Sequence, residues 1–125
     1  MSTLKVNTIQ NTSGGSSSTP EQIRNGRVRA WGNWDGQSDS LRDSVGISSI
    51  TDQGNAEYDV NFSPAFSNDD FAWSGSGARN SNDSNCLVGE KNGFRTSSKI
   101  RLRFFDNSAN AHEPNFCHCI AIGDM

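Results

Sequence analysis

The residue types best suited to metal binding lie near the end of the chain, where Cys117, His118 and Cys119 are consecutive and His112 precedes them. Thiolate and imidazole are the usual zinc ligands. In an extended strand, however, His118 faces away from the two thiols, so one strand cannot close a tetrahedral site unless copies share it across a threefold axis. With Cys86 the cysteines are an odd set of three, which disfavours a disulfide framework. We expect no metal and no cofactor, and thiols that act as small buried hydrophobic groups.

Two short motifs resemble parts of catalytic sites. Asp69 and Asp70 could act as the paired carboxylates of a glycosidase, but adjacent side chains diverge in direction, and a solvated turn explains them more simply. Residues 75–77 (Gly-Ser-Gly) imitate a nucleophile loop without the strand-to-helix context that such a loop needs. The sequence contains neither a Gly-x-Ser-x-Gly elbow nor a His-Glu-x-x-His motif. We therefore predict that the protein is not an enzyme.

Two pairs of arginines alternate along predicted strands. Arg27 and Arg29 lie early in the chain, and Arg101 and Arg103 lie late. They could bind an acidic glycan or a phosphate, or they could form ion pairs with Asp and Glu on neighbouring strands, which we favour. Trp31 shares the parity of the first pair. Its ring could stack on a sugar, but we prefer a position between protomers.

Composition decides the fold class. The 125 residues are 32% hydrophobic and 20% charged, with an unusually large share of Ser, Asn, Gly and Thr and few Lys or Glu. This composition disfavours helical bundles.

No apolar run is long enough to cross a membrane, and the opening residues lack the apolar core of a secretion signal. A net charge of −3 disfavours sequence-independent binding to nucleic acid, which needs a basic surface. An all-β domain is the best remaining class.

The chain opens with segments that cannot fold alone. Leu4, Val6 and Thr8 would share one face of a short strand over residues 4–10, and such a strand needs a partner. Residues 11–18 are predicted to form a Gly/Ser-rich linker.

A short helix is predicted over residues 19–26. Thr19 can cap it, Pro20 suits its first position, Gln22 can complete a capping box, and Gly26 can end it. So short a helix does not persist alone. We therefore expect Ile23 to pack on another surface, such as the same helix of sister chains.

Strand signals dominate from residue 27 onward. Apolar residues alternate with polar ones in several stretches: Val28, Ala30 and Trp34; Val45 and Ile47; Tyr58, Val60, Phe62, Pro64 and Phe66; Ile100, Leu102 and Phe104. The last predicted strand, residues 116–122, is apolar on both faces. Turn signals such as Asp35-Gly36 separate the stretches. The pattern predicts an antiparallel β-sandwich of about seven strands, preceded by an extended arm and a short helix.

The opening segment carries a family resemblance. Residues 2–15 (STLKVNTIQNTSGG) resemble the N-terminus of many virion appendage proteins of tailed bacteriophages, especially tail-fibre and related structural proteins of cyanophages and other marine phages. Residues 27–31 (RVRAW), 42–44 (RDS), 48–52 (SSITD) and 58–63 (YDVNFS) are also similar to those chains. The closing Ile-Ala-Ile-Gly is loosely similar to trimeric H-type lectins, although no sugar-binding motif matches.

The resemblance implies a homotrimeric virion protein, assembled in the host cytoplasm and located on the particle. Residues 1–18 would be the attachment arm and linker, 19–26 the helix, and 27–125 the β-sandwich domain. Contacts with other virion proteins would come from the arm, through Leu4, Val6, Thr8 and Ile9. Contacts between copies would come from five residues: Ile23, Trp31, Cys117, Cys119 and Ala121.

Two functions follow from this resemblance. The first is a short tail-fibre-like appendage whose β domain contacts host surface glycan through polar loops, especially residues 80–85 and 106–115. The alternative is a structural virion protein without receptor binding, such as a head decoration, a head fibre or a tail adaptor. Neither involves nucleic acid or membrane insertion.

Overall fold

The computed structural model describes residues 2–10, 12–14, 17–79 and 85–125. These residues form ten strands and one helix. The elements are β1 (Ile9–Gln10), β2 (Ser17–Ser18), α1 (Pro20–Asn25), β3 (Ala30–Asp35), β4 (Ser40–Val45), β5 (Ile47–Asp52), β6 (Glu57–Phe62), β7 (Ala72–Ala78), β8 (Asn85–Glu90), β9 (Lys99–Phe105) and β10 (Phe116–Ile122). The predicted all-β class is confirmed.

Strands β3 to β10 form one antiparallel sheet in the order β4-β3-β10-β7-β8-β9-β6-β5. The sheet curves until its two edge strands, β4 and β5, contact each other, so that it is nearly closed. It has eight strands where about seven were predicted. One reason is that Val45 and Ile47, expected in one strand, lie in two: Gly46 between them has a φ of +67° and turns the chain. Glycine adopts this conformation at no steric cost.

The core follows from the alternation of apolar residues. The rings of Trp34, Tyr58 and Phe104 meet edge to face with centroids 5.8–6.1 Å apart, and all three side chains are fully buried. A second cluster of Phe62, Phe66 and Phe71 fills the other end of the interior. The alternation predicted a strand that continues through Pro64 to Phe66, whereas strand β6 ends at Phe62. Phe66 lies in the following loop, and its side chain is buried in the core.

The two ends of the sheet differ in which connections they carry. Four connections start at one end, which we call the distal end: residues 36–39, 53–56 and 106–115, and the connection that leaves β7 at Arg79, of which residues 80–84 lie outside the described residues. The other end, the proximal end, carries Gly46, the β6–β7 and β8–β9 loops and the chain terminus. A six-residue strand spans roughly 20 Å. This distance therefore separates the two ends.

Helix α1 lies at the proximal end and has the predicted capping box. Thr19 Oγ1 accepts a hydrogen bond from the Gln22 amide, and Gln22 Oε1 accepts one from the Thr19 amide. Arg24 attaches the helix to the end of the chain, since its guanidinium lies 2.8 Å from both the Met125 carbonyl oxygen and an Asp124 carboxylate oxygen. Among the described residues, no helix has the length and apolar character that a bilayer crossing requires.

The arm forms less regular structure than the alternation predicts. Only Ile9 and Gln10 form a strand, and they pair with Ser17–Ser18 of the predicted linker. Residues 4–8 lie outside any strand because three apolar side chains bury too little surface to hold one. Parts of the predicted linker, residues 11, 15 and 16, lie outside the described residues.

Candidate functional site

A polar cleft of about 400 Å³ opens at the distal end of the sheet. Each of the four distal connections contributes to its wall. The lining residues are Gln37, Asn55, Ala56, Arg79, Ala111, His112 and Glu113. We call this the distal cleft. Residues 80–84, in the loop predicted to contact a glycan, lie outside the described residues.

The backbone of the distal connections is unusual. Non-glycine residues with positive φ occur at four positions in the described part of the chain, and all four lie in these connections: Asp39 (55°), Asn55 (52°), Ala56 (57°) and Ala109 (64°). Such residues are uncommon and concentrate at sites where the surrounding structure holds a backbone in one shape. Two of the four, Asn55 and Ala56, line the distal cleft.

The longest distal connection, residues 106–115, is held by Asp106. Its carboxylate accepts hydrogen bonds from the Ser108 amide and from the amide and side chain of Asn110. The bonds from Asn110 are the main reason why the pKa of Asp106 lies below its usual value. At the far end of the connection, the Pro114 carbonyl accepts the Gly36 amide at 3.0 Å, which joins this loop to the β3–β4 turn.

Gly36 occupies a position that has no room for a side chain. A Cβ there would lie 2.6 Å from the Pro114 carbonyl oxygen and 2.8 Å from Tyr58 Oη. We expect Gly36→Ala to lower the free energy of unfolding by about 1–3 kcal/mol, since both neighbours are fixed in the interior. Gly26→Ala is the control, because a Cβ there would have one neighbour within 4 Å, the Gln22 carbonyl oxygen at 3.3 Å. Urea denaturation measures both, and equal stability of the two variants would contradict the expectation.

His112 gives the cleft an unsatisfied polar atom. Its Nε2 is buried and has no hydrogen-bond partner among the described residues. Burial, reinforced by the nearby Arg79, lowers the pKa of His112, so the imidazole is neutral near pH 7. Asn115 Nδ2 donates to Gln37 Oε1 at 2.7 Å and fixes that amide at the cleft wall.

The cleft thus presents amide, imidazole, guanidinium and carboxylate groups within one concavity. Arg79 and Glu113 oppose each other in charge, so the lining has little net charge. Donors and acceptors of this kind suit a neutral ligand that is rich in hydroxyl groups.

Three residues that were assigned to contacts between copies belong to the chain's own core. Cys117, Cys119 and Ala121 are at most 4% exposed, because the inward face of β10 packs inside the curved sheet. This corrects their assignment to an interface. Burial raises the pKa of the Cys119 thiol to about 12 and also raises that of Cys117. Both thiols are therefore protonated at neutral pH.

The other predicted interface residues remain accessible. Trp31 is half-buried on the outward face of β3, where its register partners are Val45 on β4 and Ile120 on β10. Val45 and Ile120 are half-exposed, so the three form an apolar surface that we call the outer apolar face. Ile23 is exposed on α1. Sequence parity grouped Ile120 with Phe116, His118 and Ile122 but did not say which face of the strand is outward. The strand order places Ile120 on the outward face beside Trp31.

The arm residues predicted to bind the particle are also exposed. Leu4 is 86% exposed, and Val6, Thr8 and Ile9 are exposed as well. Except for Thr8, these residues line a shallow groove of about 540 Å³ with residues of α1. An apolar surface of this kind is left open to solvent within the single chain.

The remaining motifs have structural roles. Asp69 and Asp70 are exposed in the β6–β7 loop, where the Asp70 amide donates to Asn68 Oδ1 in a turn. Gly77 faces inward on β7, where a Cβ would lie 2.8 Å from the Phe104 ring, so residues 75–77 do not form a nucleophile loop.

The basic residues of β9 follow the ion-pair interpretation in part. Arg101 and Lys99 both contact the Asp59 carboxylate, at 2.6 and 3.0 Å. Arg103 is different, because its Nε is buried without a hydrogen-bond partner among the described residues. In the early pair, Arg27 and Arg29, the Arg29 guanidinium donates a hydrogen bond to the Arg24 carbonyl oxygen.

The described residues contain no group of three or more His, Cys, Asp or Glu side chains that could hold a metal ion. His118 lies on the outward face of β10, opposite the two thiols, as the alternation of the strand requires. Comparison of the chain with protein-family models, curated proteins and solved structures found no match in any of the three.

Proposed function

We propose that the chain is a subunit of a bacteriophage virion appendage, held on the particle by its arm and presenting the distal cleft to host surface glycan. One observation carries the proposal. The arm and α1 lie at the proximal end of the sheet, and the cleft lies at the distal end. A protein that attaches by one end and recognises a ligand with the other needs this separation.

The distal cleft supports glycan as the ligand. Its lining has little net charge and contains amide, guanidinium and carboxylate groups beside the His112 imidazole, and such groups bind hydroxyl groups in either hydrogen-bonding direction. One such cleft binds weakly. Several copies on one appendage would raise the overall affinity without any new contact.

The arm supports attachment to another protein. Leu4, Val6 and Ile9 expose apolar side chains beside Ile23, and burying one such side chain stabilises a complex by about 1.5–3 kcal/mol. Assembly into trimers is part of the proposal. Trp31 and its register partners supply a surface for contacts between copies, because aromatic and aliphatic groups at a sheet surface are typical of protomer interfaces.

Competition with phage adsorption tests the proposed function. Purified chain, added in excess to the phage that carries it, should reduce adsorption to host cells. Arg79→Ala at the distal cleft should remove most of this inhibition, since it deletes a charged donor from the lining. Arg27→Ala is the matched control, because Arg27 lies at the proximal end and should leave the inhibition unchanged. Absence of any inhibition by the unmodified chain would contradict receptor binding.

The outer apolar face favours a second candidate, a structural virion protein whose sheet packs against neighbours. Electron microscopy of the particle separates the two. A distal end that points outward supports the appendage, and burial of Trp31 and the distal cleft among shell or tube proteins supports the structural role.

A further inference from the structure

A second cleft, with a lining that shares no residue with the distal cleft, lies on the outward surface of β8 and β9. It has a volume of about 370 Å³ and is lined by Gly89, Glu90, Lys91, Asn92, Arg103, Phe105 and Ala109. We call it the side cleft. The proposed function does not use it. Its lining includes Arg103, one of the arginines for which the sequence left open the binding of an acidic glycan or a phosphate.

An aromatic ring forms the floor of the side cleft. Gly89 pairs with Arg103 across the β8–β9 ladder, and the Phe105 ring lies over the glycine. The nearest Phe105 ring carbon lies 3.4 Å from the position of a Cβ on Gly89. Because glycine has no side chain, the partly buried Phe105 ring lies close against the strand at this position, within the lining of the side cleft. A flat apolar surface of this kind stacks against the face of a pyranose ring.

The wall of the side cleft has more positive than negative charge. Lys91 and Arg103 are each 41% exposed and share a single carboxylate, Glu57. Lys91 Nζ lies 2.7 Å from Glu57 Oε1, whereas Arg103 Nε lies 4.0 Å from the same oxygen. The carboxylate of Glu90, also in the lining, is matched by Arg95 at 2.5 Å. One positive charge therefore remains without a counterpart.

Arg103 combines a buried atom with an accessible side chain. Its Nε is buried and has no hydrogen-bond partner among the described residues, although buried polar groups are normally bonded. The side chain as a whole is 41% exposed, so a carboxylate that enters the cleft would pair with the accessible part of the guanidinium rather than with Nε. Arginine binds planar carboxylates through two hydrogen bonds. The surplus of one charge matches a monoanion better than a phosphate monoester, which carries nearly two negative charges at pH 7.

We propose that the side cleft binds a carboxylated sugar, a hexuronic acid unit, with its carboxylate on Arg103 and Lys91 and its ring on Phe105. The proposal stands independently of the phage role, since the binding assay uses only the purified chain.

Titration followed by NMR tests the site. An oligogalacturonate should shift the Gly89 amide and the Phe105 ring resonances saturably, with the roughly millimolar affinity of one shallow cleft. A maltooligosaccharide of equal length should leave them unchanged. Inorganic phosphate, used as a third probe, should bind more weakly than the uronate, because it lacks a ring to stack on Phe105.

Two variants and one control define the contacts. Arg103→Gln should weaken oligogalacturonate binding about tenfold or more, the loss expected for a charged hydrogen bond. Phe105→Leu should weaken it while leaving the response to phosphate unchanged. Lys99→Gln removes a positive charge from the same face but not from the side cleft, and should stay within about twofold of the unmodified chain.

Four results would overturn the proposal: no response to oligogalacturonate, equal binding of the neutral sugar, phosphate binding at least as tight as the uronate, or equal losses in Arg103→Gln and Lys99→Gln. Circular dichroism of each variant shows whether it is folded. If Arg103→Gln does not fold, the comparison of Phe105→Leu with Lys99→Gln decides, since equal losses in these two would likewise reject the site.

Discussion

Phe104→Ala is expected to lower the free energy of unfolding by about 3–5 kcal/mol, the cost of removing a large aromatic side chain from a packed interior. Phe104 is fully buried and contacts the rings of both Trp34 and Tyr58 edge to face. The surrounding rings belong to different strands and cannot all move in to fill the cavity. Urea denaturation followed by tryptophan fluorescence measures the loss.

Phe94→Ala is the control for this prediction. Phe94 is 37% exposed and lies under the Arg101 guanidinium at 3.9 Å, so its loss should cost about 1 kcal/mol or less. If the two phenylalanine variants were equally stable, the aromatic cluster would not be the centre of the core.

Asp59→Asn is expected to lower the free energy of unfolding by about 3 kcal/mol, because it leaves two cations beside a neutral amide in a poorly solvated place. Asp59 is 5% exposed. Its carboxylate accepts hydrogen bonds from Arg101 at 2.6 and 3.1 Å and from Lys99 at 3.0 Å. Asp35→Asn is the matched control, since it breaks the more exposed pair with Arg42 and should cost about 1 kcal/mol or less.

The same residue predicts a dependence of stability on pH. Hydrogen bonds from Arg101, and also from Lys99, hold the pKa of Asp59 below its usual value. The unfolded chain has an ordinary Asp pKa of about 3.9. The stabilisation is therefore complete above that pH and is lost as the pH falls through the lower pKa of the folded state. Denaturation curves from pH 7 down to pH 2 should show a steeper loss for the unmodified chain than for Asp59→Asn. Parallel curves would contradict the assignment.

Much of the strand structure is predictable from the sequence because burial imposes a period of two. Tyr58, Val60 and Phe62 point inward on β6, and Ile100, Leu102 and Phe104 do so on β9. The capping box of α1 is equally local, since Thr19 and Gln22 lie three positions apart. In both cases the pattern that carries the prediction lies in neighbouring positions of the sequence.

Features that depend on the order of the strands in the sheet cannot be predicted from alternation along a single strand. Cys117 and Cys119 lie on a strand that is apolar on both faces, so alternation alone does not say which face enters the core. The distal cleft combines Gln37, Asn55 and His112 from connections far apart in sequence. Only the antiparallel order of the strands brings them to the same end of the sheet.

The way β4 and β5 meet has a consequence for crowded conditions. These edge strands are joined by Gly46 alone and contact each other without hydrogen-bonded pairing, so the nearly closed sheet leaves less room beside each edge than an open, flat sheet would. Open edges recruit strands from other chains and lead to fibres. A protein with this closure can be packed at high local density, and its copies can touch through side chains without merging their backbones into a continuous ribbon.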